Sequence, residues 1–408
     1  MTSNVSSSWE NGFLTADFFR DPYPFYQKLL TNSPVIWSEK VNGWLVSPFE
    51  DVQNGLQSTS FGSGGRIDQA AKVLGPAVRE ENSAAIACLN AMMSFRDSPD
   101  HTRLRRLVSK AFTPRRVATF EPQIQEIVNE LLEEWPLERE FDLVATFSFK
   151  LPAMVICRLL GIPMDRLNDI NRWAEGIVNL LSAGLMTPVA ARGAQVAVID
   201  ATAYLDSLIE IKRREPADDL LSALVVLEDG GDALSREELI AMVIQLFFAG
   251  FETTEGLIGN ALNVLLQDPD QFRATAGNRE LAEITTEEAL RFDNSIHRQT
   301  RIAREDIEIQ GVQIRKGDYV FFMIGAANRD FRRFKEPNTF NPKRSDLGSV
   351  AFGHGVHFCL GAPLARMETT IALQSLSERF PNLRRVSAPE YGSLLAVRKP
   401  QQMKIAIN

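Results

Sequence analysis

Apolar residues recur at helical spacing through most of the chain from Pro99 to about residue 292. The clearest case is SREELIAMVIQLFFAGFETTEGLIGNALNVLLQ (235–267), apolar nearly all round and therefore expected to be buried. Ser235 and Glu238 form a capping box at its start, and Asp268-Pro269 ends it. A helix of about 32 residues spans roughly 48 Å, enough to cross the whole molecule. Ahead of this body, DPYPFYQKLL (21–30) reads as a short helix opened by proline. VIWSEKVNGWLVS (35–47) alternates around Asn42-Gly43 and predicts a hairpin. Residues 62–90 are glycine-rich and then weakly periodic, which predicts a long mobile loop with helical pieces. Strand patterns return at 301–325 and 383–408, clearest in GVQIRKGDYVFF.

At 408 residues the default expectation is two or three domains. No repeat or linker divides the pattern, however, and small sheets drawn from distant segments around one helical body (99–292 and 363–380) fit a single domain, 1–408. The fold class expected is mainly α with small β-sheets. Hydrophobic residues at 45% and charged residues at 24% are the balance of a soluble globular protein. Three scattered cysteines, Cys88, Cys157 and Cys359, argue against a disulfide framework and fit a reducing, cytoplasmic setting. The first residues lack the basic and apolar regions of a secretion signal, and no run of about 18 apolar residues predicts a membrane span. A net charge of −8 disfavours nucleic acid as a partner.

Chemistry concentrates in FGHGVHFCLGAPLARME (352–368), which holds one of the three cysteines and two of the four histidines. A helix start lies directly after Cys359. Its free N–H groups and dipole favour a thiolate, with Gly361 allowing a tight turn and Pro363 in the first helical turn. Close backbone and aromatic cover around such a thiolate suits the proximal side of a haem iron. Two other readings stand beside this one. A lone cysteine is most often a small buried hydrophobe. His354, His357 and Cys359 could also be zinc ligands, although the spacing matches no common zinc pattern.

FGHGVHFCLG followed by APLARME resembles the haem-thiolate loop and following helix of the cytochrome P-450 superfamily, and the resemblance runs the length of the chain. It implies a triangular prism of helices around a buried haem b (iron protoporphyrin IX), with Cys359 as axial ligand and Phe352 covering the thiolate side. AGFETT (249–254) falls where relatives bind dioxygen. The resemblance places Ala249 and Gly250 against the cofactor and gives Thr253 and Glu252 the stabilising and proton-relay roles of oxygen activation. From the residues alone, Gly250 weakens the helix and the Thr253 hydroxyl can bond the carbonyl four residues back, opening a bulge. A solvent-facing acid with a capping threonine is the other reading.

EEALR (287–291) sets Glu288 and Arg291 three apart on one helical face. Alone this is an ordinary surface pair. The resemblance makes it a buried folding element joined by Arg344. Haem propionates need cationic or N–H donors. In SPDHTRLRR, His101 and Arg105 share a helix face, and the resemblance adds Arg301 and His357. Phe251, Phe331 and Asn341 depart from the residues common in relatives.

NSIHRQTR (294–301) is more polar than its counterpart in relatives. With Gln245 it suggests a substrate bearing a polar or anionic group, although His297 and Arg298 could equally bond backbone or propionates. The expected cavity walls are the 62–90 loop, Leu180, Leu181 and Leu185, then Gln245, Phe248 and Ala249, Ile296 and His297, and Leu394. The resemblance implies a monooxygenase that uses O2, here on a small to medium-sized, mostly apolar organic molecule, with the chain expected to be a monomer. Electrons would come from NAD(P)H through ferredoxin and ferredoxin reductase. Arg103, Arg106, Lys110, Arg115 and Arg116 would form the docking face, or merely a solvated one. Peroxide-driven, coupling or desaturation chemistry on the same fold, or a haem sensor without turnover, are the alternatives.

Overall fold

The structure, a computed structural model, describes residues 9–136, 140–182, 187–228 and 233–407. Pro22 precedes α1 (Tyr23–Asn32), and the alternating stretch behind it folds into β1 (Val35–Ser38) and β2 (Gly43–Val46), antiparallel with Val35 opposite Val46. The turn spans 39–42 rather than centring on Asn42-Gly43. Asn42 takes the left-handed conformation (φ 48°), and Gly43 already lies in the strand, where a Cβ would come within 2.6 Å of the Phe321 ring.

Beyond β3 (Phe61–Gly62), the expected long loop is mostly helix: α2 (Arg66–Ala71), α3 (Pro76–Glu81) and α4 (Ser83–Ala91). Ile67 and Ala71 anchor α2 and Ala85 and Leu89 anchor α4 in the main core, with Val78 of α3 half-buried against it, which is why the segment is built rather than loose. α5 (Asp100–Ala111), α6 (Lys150–Leu160) and α7 (Leu167–Ser182) continue the helical body.

The central helix α8 (Arg236–Leu265) starts at the capping box read from the sequence: Glu238 N–H donates to Ser235 Oγ, and Ser235 N–H to Glu238 Oε2. Its 30 residues span about 45 Å. This helix is long and apolar enough to cross a membrane, but 72% of its most apolar stretch is enclosed by the rest of the fold. It also runs unbroken through 249–254. The Thr253 hydroxyl does donate to the Ala249 carbonyl at 2.6 Å, yet no bulge opens.

α9 (Arg279–Phe292) leads to β4 (Gln299–Ala303) and β5 (Tyr319–Phe322). The largest sheet has the order β1-β2-β5-β4-β3, with β2 and β5 parallel and the other neighbours antiparallel. It therefore ties the N-terminal hairpin to the segment that carries Arg301. The last long helix, α10 (Ala362–Arg379), follows the cysteine loop.

The Glu288–Arg291–Arg344 trio is buried. Arg291 Nε and Nη2 donate to the two Glu288 oxygens at 2.8 and 2.7 Å, and Arg344 Nε lies 2.9 Å from Glu288 Oε2. The Asn341 backbone N–H also donates to Glu288, so the departure at this position leaves the contact intact. Arg291 further donates to the Asn328, Pro337 and Thr339 carbonyls and thereby ties α9 to the 328–341 segment.

Candidate active site

The cysteine loop is held by its own backbone. Cys359 N–H donates to the Phe352 carbonyl at 3.0 Å, and Gly353 and Gly355 take positive φ of 73° and 72°. A Cβ on Gly355 would sit 2.9 Å from Gln57 Cα, so glycine is required there. Gly361 lies in the turn that opens α10, as expected, but with an ordinary backbone conformation; it also supplies an N–H. That group and the N–H of Ala362 point at Cys359 Sγ. Burial pushes the thiol up, while the Gly361 N–H, Arg105, the Ala362 N–H and Arg366 pull it down. Metal coordination would complete the deprotonation. The Phe352 ring, beside the cysteine, is capped by the Arg366 guanidinium at 4.6 Å.

Cys359 lies on the wall of a cavity of about 540 Å³. His101, Arg105, Arg301 and His357 line the same cavity, as do Phe352 and Gly361. The two imidazoles pack at 4.1 Å between centroids, and neither His101 nitrogen has a hydrogen-bond partner. Burial, then Arg105, lowers His101; burial, then Arg301 and His101, pulls His357 down to about 3, so both rings are neutral at pH 7. Neither Arg105 nor Arg301 has a carboxylate partner among the described residues. Arg301 donates only to the Thr300 carbonyl and the Gln299 side chain. Buried donors without acceptors are costly. This set fits a planar cofactor that carries carboxylates and takes a thiolate ligand.

Ala249, Gly250, Glu252 and Thr253 of α8 line the cavity. Gly250 faces elsewhere in part: a Cβ there would meet the Ile156 side chain of α6 at 2.6 Å, so its smallness serves helix packing. Glu252 is neither exposed nor isolated. Lys399 Nζ, from the C-terminal segment, lies 3.3 Å from Glu252 Oε2 and 2.7 Å from Glu255 Oε2. Burial raises both carboxyls against the pull of Lys399, Glu255 to about 7.

The native state therefore holds a proton on Glu255 in a range where the unfolded chain has released it. The stabilising contribution of that proton is complete below about pH 4.5 and is lost as pH rises through 7. Glu255→Gln is expected to flatten this part of the profile when thermal midpoints are measured from about pH 5 to 8.

Gln245, Phe248, Leu180, Leu181 and Ile296 line the cavity as expected, with Gln245 Oε1 accepting from the Ser94 N–H at 3.1 Å. Leu185 lies outside the described residues. Two expectations fail. His297 is not a cavity residue: it is buried on the other side of the chain, 3.0 Å from the Tyr26 hydroxyl and 5.8 Å from the Tyr23 ring. Gly325 packs so closely that a Cβ there would touch the His297 ring. Leu394 is not in the wall either; Ala396 and Val397 are, because the bridge from Val397 to Ile296 turns that pair inward. Sequence reading also missed Arg66 and Lys399. A lone arginine after GSGG marks the first only weakly, and nothing local links Lys399 to a helix more than a hundred residues earlier.

On the outer side, the basic cluster is partly committed. Arg103 pairs with Glu238, Arg116 with Asp218 at 3.0 Å, and Arg105 faces the cavity. Arg106, Lys110 and Arg115 have exposed side chains, as do Val356 and Phe358 of the cysteine loop.

A chamber shared by the longest helix and a cysteine loop, lined by guanidinium groups without carboxylate partners and by two imidazoles, defines an enzyme of the haem-thiolate class. The sequence model of the cytochrome P450 family matches residues 77–390, and the chain belongs to that family. Among relatives, it is 41% identical over 379 residues to cytochrome P450 107B1 of Saccharopolyspora erythraea, covering 91% of each chain. It is 36% identical to the vitamin D(3) 25-hydroxylase of Pseudonocardia autotrophica, covering 94% of this chain and 92% of that one. Among solved structures, P450BioI in complex with a hexadec-9Z-enoic acid-ligated acyl carrier protein superposes with a TM-score of 0.88 at 32% identity. That match covers 96% of this chain and 100% of that one. The protein is a cytochrome P450 monooxygenase, with haem as cofactor and O2 as co-substrate.

Proposed function

We propose that this chain acts as a single domain that hydroxylates or epoxidises a small to medium-sized, mostly apolar organic molecule of secondary metabolism. The observation that carries the reading is the placement of Cys359 Sγ and the Ala249–Thr253 stretch on one cavity that is also lined by two guanidinium groups without a carboxylate partner and two imidazoles. Haem bound there would supply the activation of O2, which takes up two electrons and two protons. The protein's part is to hold and protonate. Cys359 would ligate the iron with N–H support from Gly361 and Ala362, and His101, Arg105, Arg301 and His357 would take the propionates. Phe352 would shield the thiolate, and the small Ala249 side chain keeps that stretch of the cavity open.

Glu252 brings protons from the Lys399–Glu255 side to the cavity, where the Thr253 hydroxyl receives and places them. Leu180, Leu181, Phe248, Ile296 and Val397 supply the apolar walls, and Gln245 a polar contact. Two relatives are named as hydroxylases of organic molecules, the vitamin D(3) 25-hydroxylase and the 6-deoxyerythronolide B hydroxylase, which supports hydroxylation as the reaction. Electrons would come from NAD(P)H through ferredoxin reductase and an acidic ferredoxin docked on Arg106, Lys110, Arg115 and the exposed Phe358. The working form would be a cytoplasmic monomer.

Glu252→Gln tests the proton route. Product formation should fall about 10²-fold while substrate affinity stays within about twofold, read as product per electron consumed. Unchanged product yield would remove Glu252 from the relay. Product analysis with a ferredoxin system against peroxide alone tests the electron source. Equal yields from peroxide would contradict the ferredoxin-dependent reading.

A further inference from the structure

Four guanidinium groups line the cavity: those of Arg66, Arg105, Arg298 and Arg301. Haem would bring two propionates, and Arg105, Arg301, His101 and His357 are there to take them. Arg66 and Arg298 are left over. Neither forms an ion pair among the described residues, and the Nε of each is buried without a hydrogen-bond partner. The carboxylates nearby do not compensate them. Glu252 is paired with Lys399, Asp97 is bound by Arg304 and two backbone N–H groups, and burial holds Glu368 well above the ordinary carboxylate range.

The two surplus groups converge. Arg66 Nη1 donates to the Thr300 carbonyl at 2.7 Å, and Arg298 Nη1 to the Thr300 hydroxyl. Each also lies over an aromatic ring: Arg66 over Phe95 at 4.3 Å, and Arg298 over Phe321 at 5.0 Å. Arg298 Nη2 reaches toward the Leu181 carbonyl at 3.5 Å, on the wall assigned to substrate. Arg66 and Arg298 thus come from opposite segments, α2 and the approach to β4, and are fixed on one residue between them. Burial pulls their pKa values down to about 9 and about 10, so both stay charged at pH 7 while lacking a counter-charge.

We propose that Arg66 and Arg298 form an anion subsite of the substrate chamber, and that the natural substrate carries a carboxylate which this pair binds. The apolar body of the substrate would then extend along the Leu180–Leu181 and Phe248 wall toward the reacting face. The arrangement explains why a mostly apolar chamber retains two desolvated cations: a bidentate carboxylate supplies the missing acceptors. This inference rests on the proposed reading of the cavity as a haem-containing substrate chamber.

Binding of decanoate and decan-1-ol to the full-length, haem-loaded protein at neutral pH separates the two ideas. Decanoate should bind about 30-fold more tightly than the alcohol. Arg298→Gln and Arg66→Gln should each remove most of that preference, leave alcohol affinity within about twofold, and keep the haem in place. Equal binding of the two probes by the wild-type protein would overturn the subsite without any variant having to fold. So would a preference that survives both substitutions, or haem release by Arg298→Gln. If neither probe binds, the chamber fails with the subsite. If the preference holds while the protein shows no thiolate-ligated haem spectrum, the subsite stands and the functional reading falls.

Discussion

Replacing Arg291 with alanine is expected to destabilise the fold by about 4 kcal/mol, the cost of leaving Glu288 as an uncompensated buried charge. Glu288 has no exposed side-chain surface and Arg291 only 1%. Arg344 alone cannot restore the balance, because it is also engaged by Asp346 and by backbone carbonyls. The loss also strips donors from three carbonyls of the 328–341 segment, which precedes the cysteine loop. Domains are stable by only about 5–15 kcal/mol, so the variant should accumulate little haem-loaded protein and show a much lower urea midpoint. Arg291→Lys should rescue little, because an ammonium cannot reproduce the two-pronged contact. A variant with a wild-type midpoint would show that the trio contributes little to stability.

Cys359→Ser should leave a folded protein without monooxygenase activity. Serine nearly preserves the shape and the loop's own backbone bonds, since the Cys359 N–H contact to Phe352 does not involve the side chain. What it removes is the thiolate: a hydroxyl stays protonated under conditions in which a metal-bound thiol loses its proton. Turnover should fall by more than about 10³-fold, beyond the tenfold to hundredfold loss usual for an outer-shell partner. Circular dichroism should remain wild-type. Activity within tenfold of wild type would show that another residue ligates the iron.

How much of this was legible in the sequence follows from where each signal lies. The capping box at Ser235 and the stop at Asp268-Pro269 are local chemistry, so the ends of α8 could be read directly. The cysteine loop is similarly local, with glycine, cysteine and helix start within a few residues. Residues 62–90 misled because glycine content describes the first four residues, whereas the three helices behind them are stabilised by core contacts that no short window shows. His297 misled for a related reason. Polarity in 294–301 shows that something must be satisfied, but the side each residue faces depends on tertiary partners. Tyr26 and Asp293 take His297 away from the cavity, and Thr300 holds Arg298 within it. Lys399 could not be inferred at all, because its pairing with Glu252 and Glu255 exists only once the C-terminal segment lies on the central helix.

The function proposed for this cavity depends on Cys359 holding a haem iron there as a thiolate. The absorption spectrum of the reduced, haem-loaded protein under carbon monoxide tests it most directly. A Soret band strongly red-shifted from that of histidine-ligated haem, and lost in Cys359→Ser, is the predicted result. A band at the histidine-ligated position in the folded wild-type protein, unchanged by the substitution, would contradict the account.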